Sequence, residues 1–300
     1  MFKPGNKSRL WLILIVLLLD FTMVSGCTKK ESQVSNELHT IGVAVSIIPQ
    51  ASFVEAVGGD LVQVLTMIPP GASPENYAPS PKVMEQLSET DIYFTIGVPA
   101  EKDGILPRLM QVNPHMKVVD LPQRVDKIYP PLEIAPGELD PHRWLSPKRA
   151  IVMVEAIADE LSAIDPEHSE IYKINAQSYQ AQLEQLHNEI STALAGLAGQ
   201  SFIVYHPSLG YFADDYGLNM IALEQEGKAA TAKNIQSVID QARKENITAV
   251  LYQAELDGKQ AHTLAEELGG TAQLIAPLAA DYIDNLRKTA DVLNRIMKKP

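Results

Sequence analysis

The chain has 300 residues, a formal net charge of −12 and 46% hydrophobic residues. This length suits two ordinary domains, and the composition is that of a globular protein without low-complexity tracts. The acidic balance argues against nucleic acid as a partner, because a phosphate backbone would repel such a surface.

The N-terminus has the order of an export signal. Basic residues precede an unbroken apolar run at residues 10–19, which is too short to span a bilayer comfortably. Residues 24–27 then read Val-Ser-Gly-Cys, and Cys27 is the only cysteine of the chain. This segment resembles a bacterial lipobox, in which the cysteine is lipidated and becomes the new N-terminus. The alternative is a signal anchor with an incidental cysteine.

We therefore predict a signal peptide at residues 1–26 and a lipidated tether at residues 27–39, with Cys27 as the lipidation site. Several acyl chains on one residue hold a protein at a membrane stably. The expected location is outside the cytoplasm, anchored by lipid to the cell membrane.

The mature chain alternates apolar β-like runs with helical patterns, which is typical of parallel βα units. Helical patterns are predicted near residues 50–57 and at 81–88. The predicted strands lie at residues 41–48, 60–68, 91–97 and 117–121 in the first half, and at 202–205, 218–223, 249–252 and 272–275 in the second.

A long helical region lies between the two halves. Ser146 and Pro147 are typical of a helix start and predict a helix from 147 to 164. Residues 165–167 then restart a helix that runs to about residue 197. Its predicted apolar stripe consists of Ile171, Ile174, Tyr179, Leu183, Leu186 and Ile190.

This region is either a helix hairpin inside one domain or a strut between two lobes. The strut explains why strand–helix units flank it on both sides. We therefore predict an α/β fold of two α/β lobes with parallel sheets, joined by a long helical strut. The predicted N-terminal lobe covers residues 40–165, the linking helix 166–197 and the C-terminal lobe 198–300.

Two histidines lie in proline-containing boxes. Residues 140–147 read Asp-Pro-His-Arg-Trp-Leu-Ser-Pro, and residues 205–212 read Tyr-His-Pro-Ser-Leu-Gly-Tyr-Phe. Imidazole is the commonest zinc ligand in proteins, so His142 and His206 are candidate ligands. A third segment, the Pro-rich loop at residues 69–81, follows a predicted strand, where open α/β sheets bind ligands. Glu75 is its one side chain with metal affinity.

The three segments, in this order, resemble those of the zinc/manganese solute-binding lipoproteins of bacterial metal ABC importers. The resemblance covers residues 40–297, and that family's fold is two α/β lobes joined by one long helix. It implies that Glu75, His142 and His206 bind the metal. Glu75 stands where the family commonly has His, and Ala276 stands where it has a fourth ligand, Asp.

The fourth coordination position is therefore open in the sequence. Water, Asp281, Glu226 or Glu255 are the alternatives for it. His206 matches the zinc-binding members of the family, whereas Glu75 favours a harder ion such as manganese. The expected ion is Zn²⁺, with Mn²⁺ as the alternative.

The resemblance implies a binding protein rather than an enzyme. We expect a monomer that captures the ion outside the cytoplasm and delivers it to an ABC transporter permease, with the lipid bilayer as its second partner. One alternative is a zinc-dependent hydrolase, since two His, one Glu and an open position also describe a catalytic zinc. The other is a metal-depleted, adhesin-like relative, which Ala276 favours.

Overall fold

The computed structural model describes residues 40–224, 230–256 and 258–298. The first βα segment has the strands β1 to β4 and the helices α1 to α4. Its strands are Ile41–Val45, Val62–Thr66, Ile92–Thr95 and Lys117–Asp120. Its helices are Ile48–Gly58, Pro81–Ser88, Leu106–Val112 and Leu121–Asp126. The four strands form one parallel sheet in the order β2-β1-β3-β4.

The second βα segment repeats this layout with the strands β7 to β10. They are Ser201–Val204, Asn219–Ala222, Ala249–Gln253 and Thr271–Ile275. They form a parallel sheet in the order β10-β9-β7-β8. Its helices, α7 to α10, are Gly210–Asp215, Ala232–Glu245, Lys259–Glu267 and Tyr282–Met297.

Two helices connect the sheets. Helix α5, Pro147–Ile164, begins at Ser146, whose side chain accepts a hydrogen bond from Arg149 N as predicted for an N-cap. A 3₁₀ turn at Pro166–His168 then leads into the 26-residue helix α6, Ser169–Leu194. The prediction of two α/β lobes with parallel sheets and a long connecting helix is confirmed.

The predicted apolar stripe of α6 is wrong at its start. Ile171 and Ile174 are 45% and 56% exposed. The face that packs inward consists of Tyr172, Ala176, Leu183, Leu186, Ile190 and Leu194. Successive residues of this face are three, four or seven positions apart, and Ile171 and Ile174 lie outside it. Tyr172 is buried, and its hydroxyl donates to Asp165 Oδ2 at 2.8 Å, so the buried face of α6 begins with an amphipathic side chain.

The hydrophobic core runs through the connecting helices. One cluster of buried side chains includes residues of the first sheet, of α5 and α6, and one face of the second sheet, while a smaller cluster fills the other face of the second sheet. The described residues from Thr40 onward accordingly form one compact unit. The exact bounds of the two lobes stay a prediction, because this shared core marks no boundary between them.

A short antiparallel hairpin lies between the first segment and α5. Its strands are β5, Glu133–Ala135, and β6, Glu138–Leu139. The sequence did not predict it, because strands of three and two residues carry no periodic pattern. The hairpin borders the candidate site described below.

Candidate metal centre

His142 is fixed by the aspartate that begins its box. It lies just before a 3₁₀ turn, Arg143–Leu145, and its side chain is 7% exposed. Asp140 Oδ1 accepts hydrogen bonds from the backbone N and from Nδ1 of His142, both at 2.8 Å. Since Nδ1 donates to a carboxylate, the Nε2 lone pair is free to bind a metal.

His206 is held in the same way from the other lobe. It follows β7, and its side chain is 4% exposed. Its Nδ1 lies 2.7 Å from Oε2 of Glu224, which follows β8 at the same edge of the sheet. Both histidines therefore carry the carboxylate–imidazole pair that orients metal-binding histidines.

The Pro-rich loop brings Glu75 to the two rings. His206 Nε2 lies 3.2 Å from His142 Nε2 and 3.5 Å from Glu75 Oε1, and His142 Nε2 lies 4.0 Å from the same oxygen. In a tetrahedral zinc site with bonds of about 2.0–2.1 Å, ligand atoms lie about 3.3 Å apart. The His142–His206 and His206–Glu75 separations are close to this value, whereas the His142–Glu75 separation is longer.

The electrostatics of the cluster depend on whether protons or a metal occupy it. Burial alone would lower the pKa of His206, but hydrogen bonds to Glu224 and Glu75 raise this pKa to about 9. Burial would raise the pKa of Glu75, but the His206 hydrogen bond and the charges of both imidazoles lower it below its usual 4.5. Without metal, the second lobe thus presents an imidazolium beside a carboxylate, and a divalent cation would take the place of that proton.

The cluster opens onto a cavity of about 570 Å³. Glu75, His142 and His206 line one part of it, and Gly97 lines another. The hairpin contributes the rim through Ile134, Gly137, Glu138 and Leu139. The position left for a fourth ligand therefore has room for water or another small ligand.

Two of the alternatives for a fourth protein ligand, Asp281 and Glu255, lie apart from the cluster. Within the described residues, the cluster of potential metal ligands consists of Glu75, His142 and His206. Asp281 is exposed and pairs with Lys288 Nζ at 3.3 Å, so it is not brought to the site.

Glu255 is not brought to the cluster either. Glu255 and Ala276 line a separate, largely apolar cleft beside Pro69 and Pro70. Glu226 and Cys27 lie outside the described residues.

Sequence reasoning missed two residues of this centre. Asp140 was part of a recognised box but had no assigned role. Glu224 begins a segment that the sequence allows either as an acidic surface turn or as part of the site, and its side chain is only 8% exposed. Its position in the sequence could have indicated the role. Glu224 and His206 each follow a predicted strand, and the carboxyl ends of parallel strands lie at the same edge of a sheet.

The walls of the site join the two lobes. Trp144 Nε1 donates to Pro277 O at 3.0 Å, and Tyr282 OH donates to Trp144 O at 2.6 Å. Tyr211 OH, from α7, donates to Asp140 O at 3.0 Å. These hydrogen bonds anchor the box that carries His142 on the second lobe, and they fix the two imidazoles relative to each other.

No helix in the described part of the chain is long and apolar enough to cross a membrane. This finding concerns residues 40 onward with the gaps given above, and the predicted signal peptide and anchor lie before them.

The chain is similar to proteins and structures named for metal binding. A Chlamydia muridarum protein whose given name proposes metal binding is 30% identical over 252 residues, which are 81% of this chain and 87% of that protein. A crystal structure of ZnuA matches with a TM-score of 0.81 and 36% identity, covering 86% of this chain and 100% of that one. A ZnuA deletion mutant with zinc bound matches with a TM-score of 0.81 and 35% identity, covering 87% of this chain and 99% of that one.

The family described as zinc-uptake complex component A, periplasmic, matches residues 43–296, which is nearly the whole of the described chain. Its match includes all three residues of the cluster and both carboxylates behind the imidazoles. The chain therefore belongs to this family of periplasmic zinc-uptake components.

Proposed function

We propose that this protein captures a zinc ion outside the cytoplasm and delivers it to an ABC permease, with Glu75, His142 and His206 as the ligands. The observation that carries the proposal is the convergence of two imidazole Nε2 atoms and one carboxylate oxygen at 3.2–4.0 Å. Two His and one Glu are good zinc ligands, and water can complete the tetrahedron. Manganese is the second choice, because two imidazoles suit zinc better than a hard ion.

Capture rather than catalysis is favoured by how the surrounding carboxylates are used. A zinc hydrolase needs a general base that takes a proton from the metal-bound water. Asp140 and Glu224 are each hydrogen-bonded to an imidazole Nδ1, so their role is to orient ligands. Membership of an uptake family supports the same conclusion, and we propose that the protein is not an enzyme and acts as a monomer.

The experiment is a zinc titration by calorimetry, combined with the metal content of protein purified without chelator. The proposal expects about one zinc per chain and a strong loss of affinity in His142→Ala and in His206→Ala. His168→Ala is the control, because His168 pairs with Asp165 at the start of α6 instead. A protein that takes up no zinc, or variants that bind it like the wild type, would contradict the proposal and favour the metal-depleted relative.

The anchor is a separate part of the proposal and rests on the lipobox at residues 24–27. Lipidation of Cys27 would keep the protein near its permease. Cys27→Ala is expected to move the protein from the membrane fraction to the soluble exported fraction, as measured by fractionation and immunoblotting. A variant that stays membrane-bound and uncleaved would point to a signal anchor.

A further inference from the structure

A second carboxylate, Glu101, is buried beneath the loop that carries Glu75. Glu101 is 2% exposed and begins a π-helical turn, Glu101–Ile105. Its Oε1 accepts a hydrogen bond from Ile96 N at 2.7 Å, and its Oε2 accepts one from Gly97 N at 2.7 Å. The Ser46 hydroxyl contacts Oε1 as well, and in turn lies 2.7 Å from Tyr93 OH. Ser46, Ile96 and Gly97 directly follow the carboxyl ends of β1 and β3, where the strand order of the first sheet reverses.

Burial of a carboxylate at this position costs free energy, because the group loses its contact with water. Within the described ranges, Glu101 forms no ion pair with a lysine or arginine, so hydrogen bonds alone compensate its burial. Burial raises the pKa of Glu101 to about 7, although the bonds from Ser46, Ile96 and Gly97 pull this pKa down. A neutral side chain would fill the same space at a smaller desolvation cost. The role of Glu101 is therefore expected to lie in the backbone amides that it binds.

The segment that Glu101 fixes is in direct contact with the Pro-rich loop. Ala100 N, one residue before Glu101, donates to Pro74 O at 3.0 Å, and Pro74 directly precedes Glu75. Gly97 lines the metal cavity and has a φ of +88°, and a Cβ there would lie 3.2 Å from Pro122 Cγ. Gly97 therefore accepts no larger residue without strain, and Glu101 accepts hydrogen bonds from the first two amides of the 96–100 turn.

The π-helical turn holds the rest of the same loop. A Cβ at Gly104 would lie 3.4 Å from Tyr77 O, so the turn packs closely against the loop backbone. Arg108 Nη1 donates to Pro79 O at 2.6 Å from the following helix. The loop is therefore tied to the Glu101 segment on both sides of Glu75.

We propose that Glu101 is a positioning residue for Glu75, which it holds at the metal centre through the 96–100 turn and the Ala100–Pro74 hydrogen bond. Glu101 does not touch the ion. Its two oxygens fix the amides of residues 96 and 97, the turn then holds Pro74, and Pro74 places the Glu75 carboxylate 3.5 Å from His206 Nε2. This inference rests on the proposed function, because it assigns a role toward the same ligand.

Glu101→Gln tests the inference with little change of shape. One carboxylate oxygen becomes an NH₂ group, which must face an amide donor at Ile96 or Gly97, so the turn shifts. We expect zinc affinity in calorimetry to fall by about fivefold or more, but by less than in Glu75→Ala. In a Glu75→Ala background, the same Glu101→Gln change is expected to leave zinc affinity unaltered, because the residue that it positions is gone.

Two further variants keep the test decisive. Ser46→Ala removes one donor to Glu101 and leaves the two amides, so we expect a smaller loss of zinc affinity, which again requires Glu75. This variant tests the inference even if Glu101→Gln does not fold. Glu85→Gln, an exposed carboxylate on α2, is the control and should bind zinc like the wild type. Equal losses with and without Glu75, or no loss at all, would overturn the role of Glu101. A wild type that binds no zinc would instead overturn the proposed function.

Discussion

At the scale of single residues, the properties of the centre follow from His206. Its Nε2 must lose a proton before it can bind a metal, and the carboxylates around it raise its pKa to about 9. We therefore expect the apparent zinc affinity to rise about tenfold per pH unit between about pH 6 and 8. Calorimetry at three pH values, in buffers of different ionisation enthalpy, would show the released proton. A pH-independent affinity would contradict the raised pKa.

The same pKa predicts the opposite trend for the stability of the metal-free protein. Folding raises the pKa of His206 above its ordinary 6.5, so the imidazolium stabilises the fold. This contribution is fully present below about pH 6.5 and is lost as the pH rises through about 9. As the pH rises from about 6.5 to about 8, zinc affinity is thus expected to increase while the stability of the metal-free fold decreases.

Glu224 is the residue whose removal separates orientation from coordination. It binds His206 Nδ1 at 2.7 Å and contributes no ligand atom to the cluster. Loss of such a partner typically costs about 10–100-fold in metal affinity. We expect Glu224→Ala to show a loss in this range and Glu224→Gln a smaller one, since the amide oxygen still accepts from Nδ1. Glu189→Ala is the matched control, because Glu189 on α6 pairs with Arg287 and is not part of the cluster. A Glu224→Ala affinity equal to that of the control would be inconsistent with this role.

At the scale of secondary-structure elements, one buried ion cluster joins the start of α5 to the end of α7. The Asp215 side chain is 1% exposed and accepts from Ser146 Oγ at 2.5 Å and Arg149 Nη1 at 2.8 Å, with Lys148 Nζ at 3.0 Å. Arg149 is itself buried, and its other carboxylate partner, Asp214, is 3.5 Å away. Helix α5, which begins at the end of the His142 box, and helix α7, which begins within the His206 box, are therefore joined directly.

Breaking that cluster leaves a buried guanidinium poorly paired. Asp215→Ala is expected to lower the free energy of unfolding by about 3–5 kcal/mol, as measured by urea denaturation. Asp284→Ala provides the contrast, because the Asp284–Arg287 pair is 64% and 42% exposed and should contribute about 1 kcal/mol or less. Equal effects of the two substitutions would show that α5 and α7 are not held together by Asp215.

Elements were predictable from the sequence where local chemistry alone defines them. Helix α5 begins and ends as predicted, because Ser146 and Pro147 define its start and Asp165-Pro166 its end. The eight strands of the two sheets were found because they are short, largely apolar runs that alternate with helical patterns. The β5–β6 hairpin and the π-helical turn at Glu101 were missed, since tertiary contacts rather than periodicity stabilise them.

The site was predictable only in part, for a physical reason. His142 and His206 are 64 residues apart, and spacing alone does not place their Nε2 atoms 3.2 Å from each other. Family resemblance supplied that pairing. It did not supply Glu224, one of 37 acidic residues, because its role arises from the packing of two neighbouring strands.

At the scale of the whole molecule, zinc should stabilise the fold, because the proposed ligands come from both lobes. Binding to the native state alone adds about 4 kcal/mol at a zinc concentration of about 1,000 times Kd. For a chain of this size, each kcal/mol raises Tm by about 2–4 °C, so a rise of about 8–16 °C is expected in differential scanning calorimetry. The comparison is metal-free protein, prepared with chelator, against the same protein with zinc.

Variants of the two histidines test whether the rise in Tm comes from the metal centre. His142→Ala and His206→Ala each remove a ligand from one lobe and should lose most of the rise, whereas His168→Ala should keep it. Manganese at the same concentration is expected to give a smaller rise, because Mn²⁺ binds a given nitrogen and oxygen ligand set more weakly than Zn²⁺. An equal rise in wild type and in His142→Ala would mean that zinc stabilises the protein from another place, and the two lobes would then not share one ion.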